Sequence, residues 1–113
     1  MKKGTVVLTP FPFTDLKGQS VRPAIVVSTI ARSGNDVILA FISSVVPKTF
    51  LETDLLLRKT HPDFKDSGLK KDSVVKCDKL ATVSKEILLG ELGHLTPNLV
   101  KEMNKKLRLA LEL

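Results

Sequence analysis

The chain has no tryptophan, no tyrosine and a single cysteine among its 113 residues. One cysteine, Cys77, excludes an internal disulfide and the cysteine spacings of structural zinc and iron–sulfur sites. Five phenylalanines are the only aromatics, so a platform for stacking single-stranded bases is poorly supplied. Any RNA contact leans on phosphate charge and hydrogen bonds instead. No apolar run approaches the roughly 20 residues that span a bilayer. Met1-Lys2-Lys3-Gly4 passes directly into Thr5-Val6-Val7-Leu8-Thr9-Pro10 with no small-residue cleavage site. That argues against a signal peptide and for a cytoplasmic protein with no membrane contact. No Gly-rich loop precedes a helix to hold a nucleotide phosphate, and no His/Cys/Asp/Glu cluster has metal-ligand spacing.

What is present is an ordinary globular composition: 42% hydrophobic, 27% charged, mean hydropathy +0.10. At this length the chain fits one domain over 1–113, and its Leu, Ile and Val content excludes intrinsic disorder. Eighteen Lys and Arg against twelve Asp and Glu leave a net charge of +6 and a pI near 9.6. That balance favours polyanionic partners such as nucleic acid.

The first half reads as β-structure. A β-branched run over 5–9 stops at Pro10 and Pro12. The polar loop 11–20 follows. The runs 24–28 and 37–44 are nearly continuous in apolar residues, as in strands buried on both faces. The turn Ser33-Gly34-Asn35-Asp36 between them predicts an antiparallel hairpin. Further strands are expected over 53–57, 73–80 and 90–95, with a polar, turn-rich stretch from 59 to 71. Ser84 caps a single helical turn through Leu88. The clearest helix is terminal: Thr96 is the N-cap, Pro97 the first residue, and Leu99, Met103, Leu107 and Ala110/Leu111 form its apolar stripe, widened by Val100. Lys101, Lys105 and Lys106 lie off that stripe as a solvated face. Many short strands and one terminal helix predict a small, strongly curved β-barrel.

Several side chains could carry chemistry. Cys77 sits in an apolar strand, distant in sequence from His61 and His94, and reads as a buried inert thiol. The two histidines could form an acid–base pair, although their settings favour structural roles. Arg22 precedes Pro23, which biases it towards extended backbone at the mouth of a core strand. It is either a surface arginine or a guanidinium that forks onto a phosphate. Ser43 and Ser44 either satisfy strand-end backbone groups or donate to a phosphate oxygen. Lys76 and Asp78 are spaced to share one strand face, either as a surface ion pair or as a general acid and base held side by side.

Taken in order, Gly4-Thr5-Val6-Val7, Pro10-Phe11-Pro12-Phe13-Thr14-Asp15, Arg22-Pro23-Ala24-Ile25-Val26-Val27-Ser28 and Ile42-Ser43-Ser44 resemble the MazF/PemK (Kid) toxins of type II toxin–antitoxin systems. The resemblance continues through Gly68-Leu69-Lys70-Lys71-Asp72-Ser73-Val74-Val75, Asp78-Lys79-Leu80-Ala81-Thr82 and Leu92-Gly93-His94-Leu95. It implies an SH3-like barrel with a C-terminal helix, acting as a homodimer. It also implies a sequence-specific, metal-independent endoribonuclease that needs no cofactor, cuts single-stranded RNA such as mRNA and is neutralised by a cognate antitoxin. The residues carried over as catalytic are Arg22, Ser43, Asp78 and Lys76. Those carried over as RNA-binding are Asp15, Lys17 and Gln19 in the first loop, with Ser44 and Lys79.

The chain departs from the family pattern at three points. Lys76 replaces the arginine of an Arg-Cys-Asp segment, Ala81 replaces a residue that is often basic, and no histidine stands in the first loop. Two alternatives follow: a catalytically impaired homologue that still binds RNA or antitoxin, and a gyrase-binding toxin of the CcdB kind, which shares the fold.

Overall fold

The two most apolar runs of the sequence become neighbouring strands inside a single sheet. The structure, a computed structural model, describes residues 1–10, 21–30 and 34–113. Its strands are β1 (Thr5–Pro10), β2 (Val21–Ser28), β3 (Asp36–Ser43), β4 (Asp54–Leu57), β5 (Ser73–Ser84) and β6 (Gly90–His94), followed by helix α1 (Pro97–Leu111). They lie in the order β4-β5-β3-β2-β1-β6, and every neighbouring pair is antiparallel. The hairpin read from the sequence is present as β2 and β3, with Ala24 opposite Phe41 and Ile25 opposite Ala40.

Strand alternation explains why these runs are almost wholly apolar. Ile25, Val27, Ala40 and Ile42 enter the main core, while Ala24, Val26, Leu39 and Phe41 pack into a second cluster on the other face. Both faces are covered, so neither tolerates the polar half of an amphipathic pattern. The main core is completed by Val6, Leu55, Leu57, Val75, Cys77 and the helix residues Leu99 and Met103.

Three irregularities curl the sheet. The β2–β3 register shifts around Val27, the β1–β6 register shifts around Leu92, and the β3–β5 register shifts between Ala40 and Phe41. Bulges of this kind bend a strand and increase its twist. The two edges are then brought together by the segment that leaves β4. Its short 3-10 turn, Phe64–Ser67, ends at Gly68 in the left-handed conformation, φ +72°, and packs against β6. A Cβ on Gly68 would lie 2.1 Å from the Leu92 carbonyl oxygen, and one on Gly93 would lie 2.3 Å from the Asp66 carbonyl oxygen. Backbone meets backbone there with no room for a side chain. Ser67, fully buried, donates to Phe64 O at 2.6 Å and accepts from Leu69 N at 3.2 Å, so the turn hides no unsatisfied hydroxyl.

The C-terminal helix begins where its sequence signals place it. Thr96 Oγ1 accepts from Leu99 N at 3.4 Å and donates to Asp63 Oδ2 at 2.8 Å, which ties the helix start to the 61–64 segment. Leu99 and Met103 are buried, with Val100 and Leu107 packed against them. The stripe is shorter than its sequence pattern: Leu111 is half-exposed and has no part in the core. β5 in turn runs four residues beyond the expected 73–80, because residues 81–84 pair with the start of β3. Among the described residues no helix is long and apolar enough to cross a membrane.

Substituting Gly93→Ala forces a methyl group into backbone atoms that have no rotamer to adopt. Overpacking of this kind costs about 1–3 kcal/mol. The urea midpoint should fall accordingly, and an unchanged midpoint would refute the close approach of the 3-10 turn to β6.

Candidate functional site

The β2–β3 hairpin and the later strand β5 bring polar side chains to one place. Arg22 stands near the start of β2, Ser43 closes β3, and Lys76 lies within β5. These three side chains, together with Lys79, Phe41, Ile42 and Val45, line a cavity of about 240 Å³. The cavity has an apolar floor and holds one guanidinium, two ammonium groups and a hydroxyl. A site with that charge is complementary to a phosphodiester. The arginine set by Pro23 and the strand-end serine therefore line the same cavity.

Ser43 also shapes the exit from β3. Its Oγ accepts from Val45 N at 3.1 Å, and the approach to Val45 O is 3.5 Å. The second distance is too long to hold the hydroxyl proton firmly. Ser43 is thus anchored through its lone pair while its O–H stays available to an anionic oxygen.

The pairing of Lys76 with Asp78 on one strand face is interrupted by the β5 bulge. Phe41 lies opposite Lys76 and Ala40 opposite Leu80, so Cys77, Asp78 and Lys79 have no partner on β3. Strict alternation fails across those residues. Cys77 turns into the core, Lys79 joins Lys76 in lining the cavity, and Asp78 is exposed and absent from the lining. A simple period-2 reading has no way to anticipate that exchange. Ser44 faces away into a neighbouring cavity. Asp15, Lys17 and Gln19 lie outside the described residues.

The histidines do not join this site. His61 is held locally, its Nδ1 accepting from Asp63 N at 3.0 Å. His94 is exposed on β6, paired with Thr5. Among the described residues no three His, Cys, Asp or Glu side chains stand close enough to hold a metal ion.

The family model described as the PemK-like, MazF-like toxin of type II toxin–antitoxin systems matches residues 2–111. No curated protein matches the chain in sequence. Among solved structures, the chain is similar to a mycobacterial endoribonuclease in complex with its cognate antitoxin, at 23% identity and a TM-score of 0.73, covering 100% of this chain and 96% of that one. It is similar to the Mycobacterium tuberculosis toxin MazF-mt6 at 19% identity and a TM-score of 0.71, covering 96% and 97% respectively. A MazE–MazF complex from Deinococcus radiodurans gives 20% identity and a TM-score of 0.71, covering 100% and 97%. These likenesses support the small-barrel architecture expected from the sequence.

The thiol beside the cavity behaves as part of the core. Burial, with the Asp54 carboxylate adding to it, pushes Cys77 up from its ordinary 9.0 to about 12. Between those values the unfolded chain gives up the thiol proton and the folded chain keeps it. Rising pH therefore favours unfolding there. This contribution to stability is constant below about pH 9 and falls above it by about 1.4 kcal/mol per pH unit. The difference in alkaline stability between wild type and Cys77→Ala, followed by urea unfolding from pH 8 to 11, should show that slope; parallel curves would refute it.

Proposed function

Because the chain belongs to the PemK-like, MazF-like toxin family of type II toxin–antitoxin systems, we propose that it is a sequence-specific, metal-independent endoribonuclease. Its substrate is single-stranded RNA, including mRNA. It acts in the cytoplasm as a homodimer and is neutralised by a cognate antitoxin. The observation that carries this reading is the convergence of Arg22, Ser43, Lys76 and Lys79 on one cavity. The related structures named as endoribonucleases, one of them bound to its antitoxin, support it.

The chemistry follows from what such a cavity stabilises. A base removes the proton of the ribose 2′-hydroxyl, and the resulting oxygen attacks the adjacent phosphorus in line. The bond to the 5′-oxygen breaks, that oxygen takes a proton, and the products carry a 2′,3′-cyclic phosphate and a 5′-hydroxyl. RNA supplies its own nucleophile, so the protein must position the phosphate and neutralise the charge that grows on its oxygens. Arg22 presents a planar fork to two of those oxygens. Lys76 and Lys79 supply point charges from either end of the β5 bulge, and the Ser43 hydroxyl donates to one of the same two non-bridging oxygens. Asp78 is exposed in the same bulge and takes the 2′-hydroxyl proton from a ribose lying across the cavity mouth. Lys76, close to the departing oxygen, returns a proton to it.

An antitoxin that lays an acidic, extended segment over this cavity would inhibit by occupancy and charge. The first-loop residues Asp15, Lys17 and Gln19 complete the RNA-binding set in this reading, with Ser44 adjoining the cavity.

The test is direct. The purified protein, given a long single-stranded RNA in the presence of a chelator, should cut at a short recurring sequence and leave 2′,3′-cyclic phosphate ends. Uncut RNA would overturn the reading. Arg22→Ala should lower the cleavage rate by about 10²–10³ with the fold intact, as for other transition-state charge contacts. Arg22→Lys should restore only part of that loss, since an ammonium lacks the fork.

A further inference from the structure

A second cavity adjoins the first through two pairs of consecutive residues. Arg22 and Ser43 line the first cavity, and their chain neighbours Pro23 and Ser44 line the second. Successive residues at a strand end point to opposite sides, so the two cavities flank the same strip of backbone. The second encloses about 220 Å³. That is below the roughly 300–1,000 Å³ of a site for a drug-sized ligand and leaves room for a single ring system. Its walls are apolar, formed mainly by Pro23, Leu69 and Leu92, and Lys70 and Lys71 stand at its lysine-bearing edge.

Both lysines are exposed. Among the described residues no carboxylate forms an ion pair with Lys70 or Lys71. An apolar slot beside two cations that no described carboxylate pairs, one residue along each strand end from the Arg22 and Ser43 cavity, matches the repeating chemistry of one nucleotide: a flat apolar base next to an anionic phosphate. Apolar side chains can sandwich an unstacked base where aromatic rings are scarce.

We propose that this slot is a base-binding subsite for the nucleotide next to the scissile phosphate, with Lys70 and Lys71 neutralising the phosphates that flank that base. The inference rests on the ribonuclease reading of the adjoining cavity. The subsite exists because the 3-10 turn closes onto β6: the Gly68–Leu92 contact brings Leu69 and Leu92 to one wall. Base preference at that position is then set by the shape of the slot.

The experiment uses full-length protein and a single-stranded RNA carrying a 2′-deoxy residue at the cut, so that it binds without being cleaved. Lys70→Ala/Lys71→Ala should weaken binding and reduce the slope of log K against log salt by about 1.4, the value for two phosphate contacts on a single strand. Abasic substitution at each position flanking the cut should weaken wild-type binding at one position. In Ser44→Phe, which fills the slot, the same abasic substitution should cost nothing further.

Thermal unfolding of both variants near the wild-type midpoint would show that the fold is retained. Wild type that cuts RNA, together with an unchanged salt slope in the double variant, would overturn the subsite and leave the ribonuclease reading standing. So would equal abasic effects in wild type and Ser44→Phe. Failure of wild type to cut any RNA would instead overturn the reading beneath it. An unchanged RNA affinity joined to weaker binding of a glutamate-rich peptide would reassign the slot to an acidic protein segment and overturn the proposal.

Discussion

The architecture turns on a contact in which side chains are absent. Gly68 and Gly93 let the 3-10 turn after β4 lie directly against β6, backbone on backbone. A sheet ordered β4-β5-β3-β2-β1-β6 has two edges, and this contact brings the chain beyond one edge onto the other. The curl that permits it comes from register shifts on three strand pairs. The core inside the curl is filled from every strand except β6 and is capped by Leu99 and Met103. Closure also forms the wall of the second cavity, so a structural constraint and a recognition surface share the same residues.

The β5 bulge has a comparable double consequence. It ends regular pairing with β3 at Lys76 and resumes it at Leu80. Cys77 follows Val75 into the core by ordinary alternation, and burial there keeps its thiol protonated, whereas Lys79, beyond it in the bulge, lines the cavity. Lys76 and Lys79, on the two sides of one bulge, deliver two point charges to the cavity, and Arg22 delivers a planar fork.

Elements whose signals are local were legible in the sequence. Thr96 and Pro97 place the start of α1 correctly because capping and a missing N–H are properties of adjacent residues. The apolar runs of β2 and β3 announce burial on both faces for the same reason. Arg22 and Ser43 were singled out by the motifs around them, and the structure lines one cavity with both. Less legible were Lys70, Lys71 and Leu92, which read as a polar loop and a closing strand. Their common cavity arises from a contact between segments far apart in the chain. The helix stripe was overread at Leu111, since periodicity records which face is apolar and not where the opposing sheet ends.

By itself the sequence determined the strand and helix content, the family, the basic charge and the chemical kinds of side chain available to bind a phosphate. Tertiary structure alone decided which of them meet. Periodicity and capping propagate over a few residues, whereas register, bulges and edge closure depend on pairing between distant strands. The exchange of Asp78 for Lys79 at the cavity is a change of one bulge in that pairing, and no local pattern in the chain encodes it.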